Sequence, residues 1–195
     1  MEINELFGLP AHPLLVHLPI VLLPLCAVGA IGVVISDSWR HRIGWIVTAL
    51  TGVSLVFVQL AIGSGESLEE RVEETGSREL IEDHSQLAEQ LRPFVVLFFL
   101  ALLGYMLWAG ARDRRQAAAH RAPAEVGGNA AAENAAAAGP APAPAAGPGW
   151  LDIGLRVAVG ILAIVSLVGI VRTGHSGADA TWHDTPTGEA GESGE

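Results

Sequence analysis

Four stretches of this chain are long, apolar and almost free of charge, and they constrain its fold more than any other feature. Residues 14–35, 43–63 and 93–111 contain no Asp, Glu, Lys or Arg, and residues 153–171 contain one such side chain, Arg156. Each stretch is close to the ~20 residues that cross ~30 Å of hydrocarbon at ~1.5 Å per residue. A soluble bundle of the same size would carry polar residues at every third or fourth position to face water. The expected fold is therefore all-α, an integral membrane four-helix bundle in contact with the lipid bilayer. Because Glu2 and Glu5 precede a first span of full length, that span does not read as a cleavable signal peptide.

Charge sets the expected orientation. The net charge is −10 and all eleven basic residues are arginines. Arg40 and Arg42 lie in the first short loop, Arg112, Arg114, Arg115 and Arg121 follow the third span, and Arg156 opens the fourth. The other loops and the tail share Arg71, Arg78, Arg92 and Arg172. The positive-inside rule then puts both termini and residues 64–92 outside the cytoplasmic membrane and residues 112–150 inside. Trp39, Trp45, Trp108 and Trp150 fall at the inner ends of the spans, as part of an aromatic belt does. The acidic outer side argues against a nucleic-acid partner.

Between spans two and three, Leu80, Ile81, His84, Leu87, Ala88 and Leu91 recur at helical spacing, with Glu79, Glu82, Asp83, Gln86 and Glu89 opposite. This pattern predicts an amphipathic helix lying on the outer surface, divided from a preceding turn or two by Gly76 and Ser77, with Ser77 as N-cap. In the first span, Pro19 and Pro24 free carbonyls near Leu15 and Ile20 and are expected to bend the helix. The chain divides into residues 1–115, carrying spans one to three and the outer helix, and residues 116–149, a disordered Ala/Pro/Gly linker. Residues 150–184 form span four with its outer end, and 185–195 a disordered tail. No repeat of useful length stands out.

Seven histidines occur, and topology sorts them. His41 and His120 sit beside arginines in inner loops and read as solvated. His12, His17, His84, His175 and His183 all belong to the outer side. His17 lies one turn inside the first span, His175 at the outer end of the fourth, and His84 on the apolar stripe of the helix above both. Any one of these could be an interfacial or core histidine bonded to a carbonyl. Three from separate elements at one depth point to a shared site, because an ionisable group in apolar surroundings is costly and usually has a partner or a function.

Neutral imidazole binds haem iron, zinc and copper, and facing helices of a bundle can bring two imidazoles together. Haem b needs axial imidazoles, an apolar slot and cations for its propionates, the last available from Arg92 and Arg172. Zinc would want three or four ligands, reached here only with Asp83 or Asp179. If the fourth helix continues past its span, Asp179 falls four residues after His175 and could orient its ring. No Cys-x-x-Cys-His motif, phosphate loop, Ser–His–Asp pattern or nucleotide fingerprint is present.

The stretch His12-Pro13-Leu14-Leu15-Val16-His17-Leu18-Pro19-Ile20, with Gly174-His175-Ser176-Gly177-Ala178 near the end, resembles a bacterial membrane family catalogued as domain of unknown function 2231. The resemblance takes in His84 and nearly the whole chain apart from the linker. It implies a four-span protein of the bacterial cytoplasmic membrane, with His17 as its most characteristic position and His84 and His175 next. Some members are joined to Rieske iron–sulfur or cytochrome c modules, which implies a redox setting by association.

These readings lead to a small membrane redox protein. Its cofactor would be haem b, or failing that another metal such as zinc, copper or iron. The ligands would come from His17, His84 and His175, with Arg92 and Arg172 beside the cofactor and a redox partner protein on the outer face. The competing reading is a cofactor-free accessory subunit with structural histidines. A metal-dependent membrane enzyme is a third reading, and it lacks a recognisable nucleophile or general base, so the chain reads as a carrier more than an enzyme.

Overall fold

The computed structural model describes residues 5–6, 9–72, 78–121 and 149–182. Four helices carry the fold: α1 (Ala11–Ile35), α2 (Asp37–Val72), α3 (Arg78–Arg121) and α4 (Gly149–Trp182). All four are long and apolar enough to cross a membrane. A two-residue antiparallel ladder, β1 (Glu5–Leu6) with β2 (Leu9–Pro10), precedes α1. The helices pack in a ring, α1 against α2, α2 against α3, α3 against α4 and α4 against α1. Val21, Leu25, Val28, Val53, Leu97, Leu100, Ile161 and Val168 point outward, the arrangement lipid contact requires. Leu23, Cys26, Ala30, Val33, Val95, Phe98, Leu102 and Val159 fill the core.

The amphipathic segment is not a separate surface helix. It forms the first turns of α3, which is continuous over 44 residues and passes through Pro93. The physical reason is register: Ile81, His84, Ala88 and Leu91 continue into Val95, Phe98, Leu102, Tyr105 and Ala109 at alternating three- and four-residue steps, so one face serves both segments. At ~1.5 Å per residue α3 is about twice as long as the hydrocarbon is thick. It also runs through 116–121, past the expected start of the linker, across helix-favouring alanines. Pro19 and Pro24 lie inside α1 without ending it. The expected division at Gly76 and Ser77, the linker from residue 122 to 148, the tail and His183 lie outside the described residues.

The bundle contains an internal repeat that the sequence alone did not disclose. A shift of 72 positions carries buried Pro19, Leu23, Cys26, Ala30, Val33 and Val34 of α1 onto buried Leu91, Val95, Phe98, Leu102, Tyr105 and Met106 of α3. A shift of 112 carries buried Val47, Thr51, Ser54, Val58 and Ala61 of α2 onto buried Val159, Ala163, Ser166, Ile170 and Thr173 of α4. The hydroxyls of Ser54 and Ser166, equivalent under this relation, are both buried without a hydrogen-bond partner. Few of these pairs are identical residues. What repeats is the burial pattern, because the α1–α2 and α3–α4 hairpins occupy equivalent halves of one bundle. The relation is a pseudo-two-fold axis along the bundle.

The two ends differ in chemistry. At one end Asp37, Arg40, Arg112, Asp113, Asp152 and Arg156 form an ion-pair network. At the other, His12, His17 and His84 surround a cavity.

Candidate functional site

The cavity at the histidine end has a volume of about 690 Å³ and takes walls from all four helices. That is within the ~300–1,000 Å³ usual for small-molecule and cofactor sites. Its lining is mostly apolar, with Val16, Ile20, Ile62, Leu68, Ile81 and Ala88 among the walls. Buried Pro19, Val58, Leu91 and Ile170 also line it, as two pairs related by the pseudo-two-fold. Leu91 fits because Gly169 faces it: a Cβ there would lie 2.7 Å from Leu91 Cδ1.

Two imidazoles enter this cavity in the same way. His12, in the first turn of α1, reaches α2, where its Nδ1 lies 2.8 Å from the Ala61 carbonyl oxygen and 3.4 Å from Ser64 Oγ. Its ring lies against Gly65, where a Cβ would stand 3.1 Å from both Cε1 and Nδ1. His84 of α3 reaches α4, its Nδ1 3.1 Å from the Thr173 carbonyl oxygen and 3.1 Å from Ser176 Oγ. This ring lies against Gly177, where a Cβ would stand 2.9 Å from Cε1. Ser64 donates to Ala61 O at 3.0 Å and Ser176 to Thr173 O at 2.9 Å. Each cradle therefore consists of a carbonyl, a serine three residues on and a glycine four residues on. The repeat relates the two residue by residue.

The cradles fix the tautomer. A carbonyl oxygen only accepts, so in each neutral imidazole Nδ1 carries the proton and donates, leaving the Nε2 lone pair free. A metal-binding histidine is commonly oriented by this same Nδ1–H bond to a carbonyl. The two rings stand with centroids 6.2 Å apart and planes at 86°.

The expected site residues distribute unevenly. His84 is one of the two cradled rings. His17 lines the cavity from α1, exposed, with Nδ1 donating to the Pro13 carbonyl one turn back in its own helix. The repeat places Glu89 of α3 opposite it, also on the cavity wall. His175 does not line the cavity. The helix does continue there, putting His175 Nε2 3.4 Å from Asp179 Oδ2, but the His175 side chain is 78% exposed. Arg92 and Arg172 are exposed on α3 and α4 beside Leu91 and Thr173, and neither lines the cavity. Among the described residues, no three His, Cys, Asp or Glu side chains are grouped as a metal cluster.

His12 is the residue that sequence reasoning passed over. It opens the motif that contains His17, yet depth alone favoured His17. The signal that separates them is the Ser-Gly dipeptide, present at both 64–65 and 176–177, the two places where a cradled histidine rests.

No curated protein matches this chain, and no solved structure does. A family described as a predicted membrane protein, DUF2231, matches residues 8–139, a span that includes His12, His17 and His84 and stops before α4. With that match covering more than half of the chain and four helices able to span a bilayer, the protein belongs to the DUF2231 family of membrane proteins.

Proposed function

We propose that this multi-pass membrane protein is an electron carrier that holds haem b on imidazoles in the cavity at the histidine end. One observation carries the reading: two imidazoles from different hairpins enter a single apolar cavity, each with Nδ1–H committed to a carbonyl and Nε2 free. Haem supplies its own four in-plane nitrogens, so it asks the protein for axial donors and an apolar slot. A zinc site would ask for three or four protein ligands. Haem bound in the cavity would supply one-electron chemistry, with the cavity's residues holding it and a redox protein at this end as the exchange partner. No arginine lines the wall among the described residues, so a bound haem's propionates would have to reach the cavity mouth.

The histidine end faces away from the cytoplasm in this reading. Arg40, Arg42, Arg112, Arg114, Arg115 and Arg156 gather at the opposite end, which the positive-inside rule assigns to the cytoplasm of a bacterial cell. Cysteine labelling in intact cells, after replacement of Cys26, tests this. An impermeant reagent should reach position 70 and not position 130; the reverse pattern would invert the topology.

The alternative, a cofactor-free accessory subunit, has its own supporting observation: each Nδ1–H bond already links two helices of a hairpin. Haemin titration into the detergent-purified protein separates the two. The haem reading expects saturation at one haemin per chain with a sharp Soret band, lost when His12 and His84 are both replaced by alanine. A titration showing only weak, non-saturating uptake, equal in wild type and variant, favours the structural role.

A further inference from the structure

We infer that His12 and His84 are the two axial ligands of one six-coordinate haem iron, on opposite faces of the macrocycle and across the pseudo-two-fold axis. The inference rests on the haem reading above and goes beyond it by fixing which imidazoles bind and how they are disposed.

Ring separation distinguishes the possible geometries. With metal–nitrogen bonds of ~2.0–2.1 Å, two imidazoles on opposite sides of one ion have centroids about 6.4 Å apart, and two tetrahedral neighbours about 5 Å. The observed 6.2 Å fits the opposed arrangement. The 86° between the planes is set by the two cradles and is compatible with this arrangement, because rotation about a metal–nitrogen axis is unconstrained; the separation is what discriminates.

Symmetry makes the same selection. A macrocycle with near-equivalent faces suits a cavity whose halves present the same donor in the same cradle. His17 has no such counterpart, since the repeat gives Glu89 at its position. Its Nδ1 bonds to Pro13 O within its own helix and not across to the neighbouring helix, so it lacks the cradle the other two share. Gly65 and Gly177 complete the argument, because a Cβ would come within 3.1 Å of the His12 ring at the first and 2.9 Å of the His84 ring at the second, so each ring would have to shift in its cradle.

Two protein ligands close the coordination sphere, and the site is then built for electron transfer and not for binding a gas. The test uses the haemin-loaded full chain. Wild type should be low-spin when ferric and should not bind carbon monoxide when ferrous. His12→Ala and His84→Ala should each become high-spin and bind carbon monoxide at one equivalent, while His17→Ala keeps the wild-type spectrum. His12→Met, which retains a ligand if alanine impairs folding, should stay six-coordinate with a raised potential, as histidine–methionine ligation raises it. A high-spin wild type that binds carbon monoxide would overturn the inference while leaving the haem reading standing. Conversion by His17→Ala but not by His12→Ala would do the same. A wild type that takes up no haemin would remove both.

Discussion

At the arginine end of the bundle, polar side chains reach from one hairpin to the other. Arg40 of α2 meets Asp113 of α3 at 2.8 Å, and Arg156 of α4 meets Asp37 of α2 at 3.0 Å and the Val34 carbonyl of α1 at 2.7 Å. The Arg156 guanidinium also lies 5.5 Å from the centre of the buried Tyr105 ring. At the histidine end every cradle bond stays inside its own hairpin: His12 binds α2 and His84 binds α4. Between the hairpins there is a cavity. One end thus fixes how the halves are joined, and the other leaves a gap between two prepared donors. On the proposed reading, stability and binding belong to opposite ends of the same helices.

Substitutions can break that division, and the largest effect belongs to the arginine end. The Arg40 side chain is 4% exposed and pairs with Asp113 and Asp37, and removing it leaves Asp113 with only the longer contacts to Arg112 at 3.8 Å and His41 at 3.7 Å. Arg40→Ala should cost roughly 1.5–3 kcal/mol, the loss of a charged hydrogen bond that joins the two hairpins. Reversible unfolding in mixed micelles reads it; a change below ~1 kcal/mol would mean the hairpins are held elsewhere. His84→Ala should cost only the ~0.5–1.5 kcal/mol of one hydrogen bond, with some added loss of packing, while weakening haemin uptake and leaving the bound haem high-spin.

Two glycines three residues apart sharpen the comparison further. A Cβ at Gly177 meets the His84 ring at 2.9 Å, whereas one at Gly174 meets nothing within 4 Å. Gly177→Ala should therefore weaken haemin affinity about tenfold or more, a loss of ~1.4 kcal/mol. Gly174 also lines the cavity but touches neither ring, so Gly174→Ala should change affinity far less than Gly177→Ala and favour the helix slightly. Equal affinities in the two variants would show that the cradle does not position His84. The smallest effect is expected from Arg92→Gln with Arg172→Gln. Neither side chain lines the cavity, so haemin affinity should change less than about twofold, ~0.4 kcal/mol. A large loss would place the propionates against them after all.

The four spans were legible because hydrocarbon demands apolar length, a property of composition that needs no partner. His84 was legible for a related reason: its stripe is periodic, and a titratable residue on an apolar stripe stands out. The surface helix was misjudged because its polar face hid the fact that its apolar face is in register with the third span. His12 and the two cradles depend on which helices become neighbours, and α2 and α4 are brought to α1 and α3 only by tertiary packing. The repeat was hidden for a similar cause. It preserves burial and a few cradle residues, so pairs such as Cys26 and Phe98 or Val33 and Tyr105 show no likeness in sequence. Arg156 looked like an isolated charge in a span, because its partners Asp37 and the Val34 carbonyl lie more than a hundred residues away.

The most direct test of a haem held by the histidine end is the absorption spectrum of the protein purified in detergent from cells supplied with iron and haem precursor. The expected result is one haem per chain, with a Soret band that shifts on dithionite reduction and a sharp low-spin α band. A protein isolated intact and folded, yet colourless and unchanged in spectrum by added haemin, would contradict it.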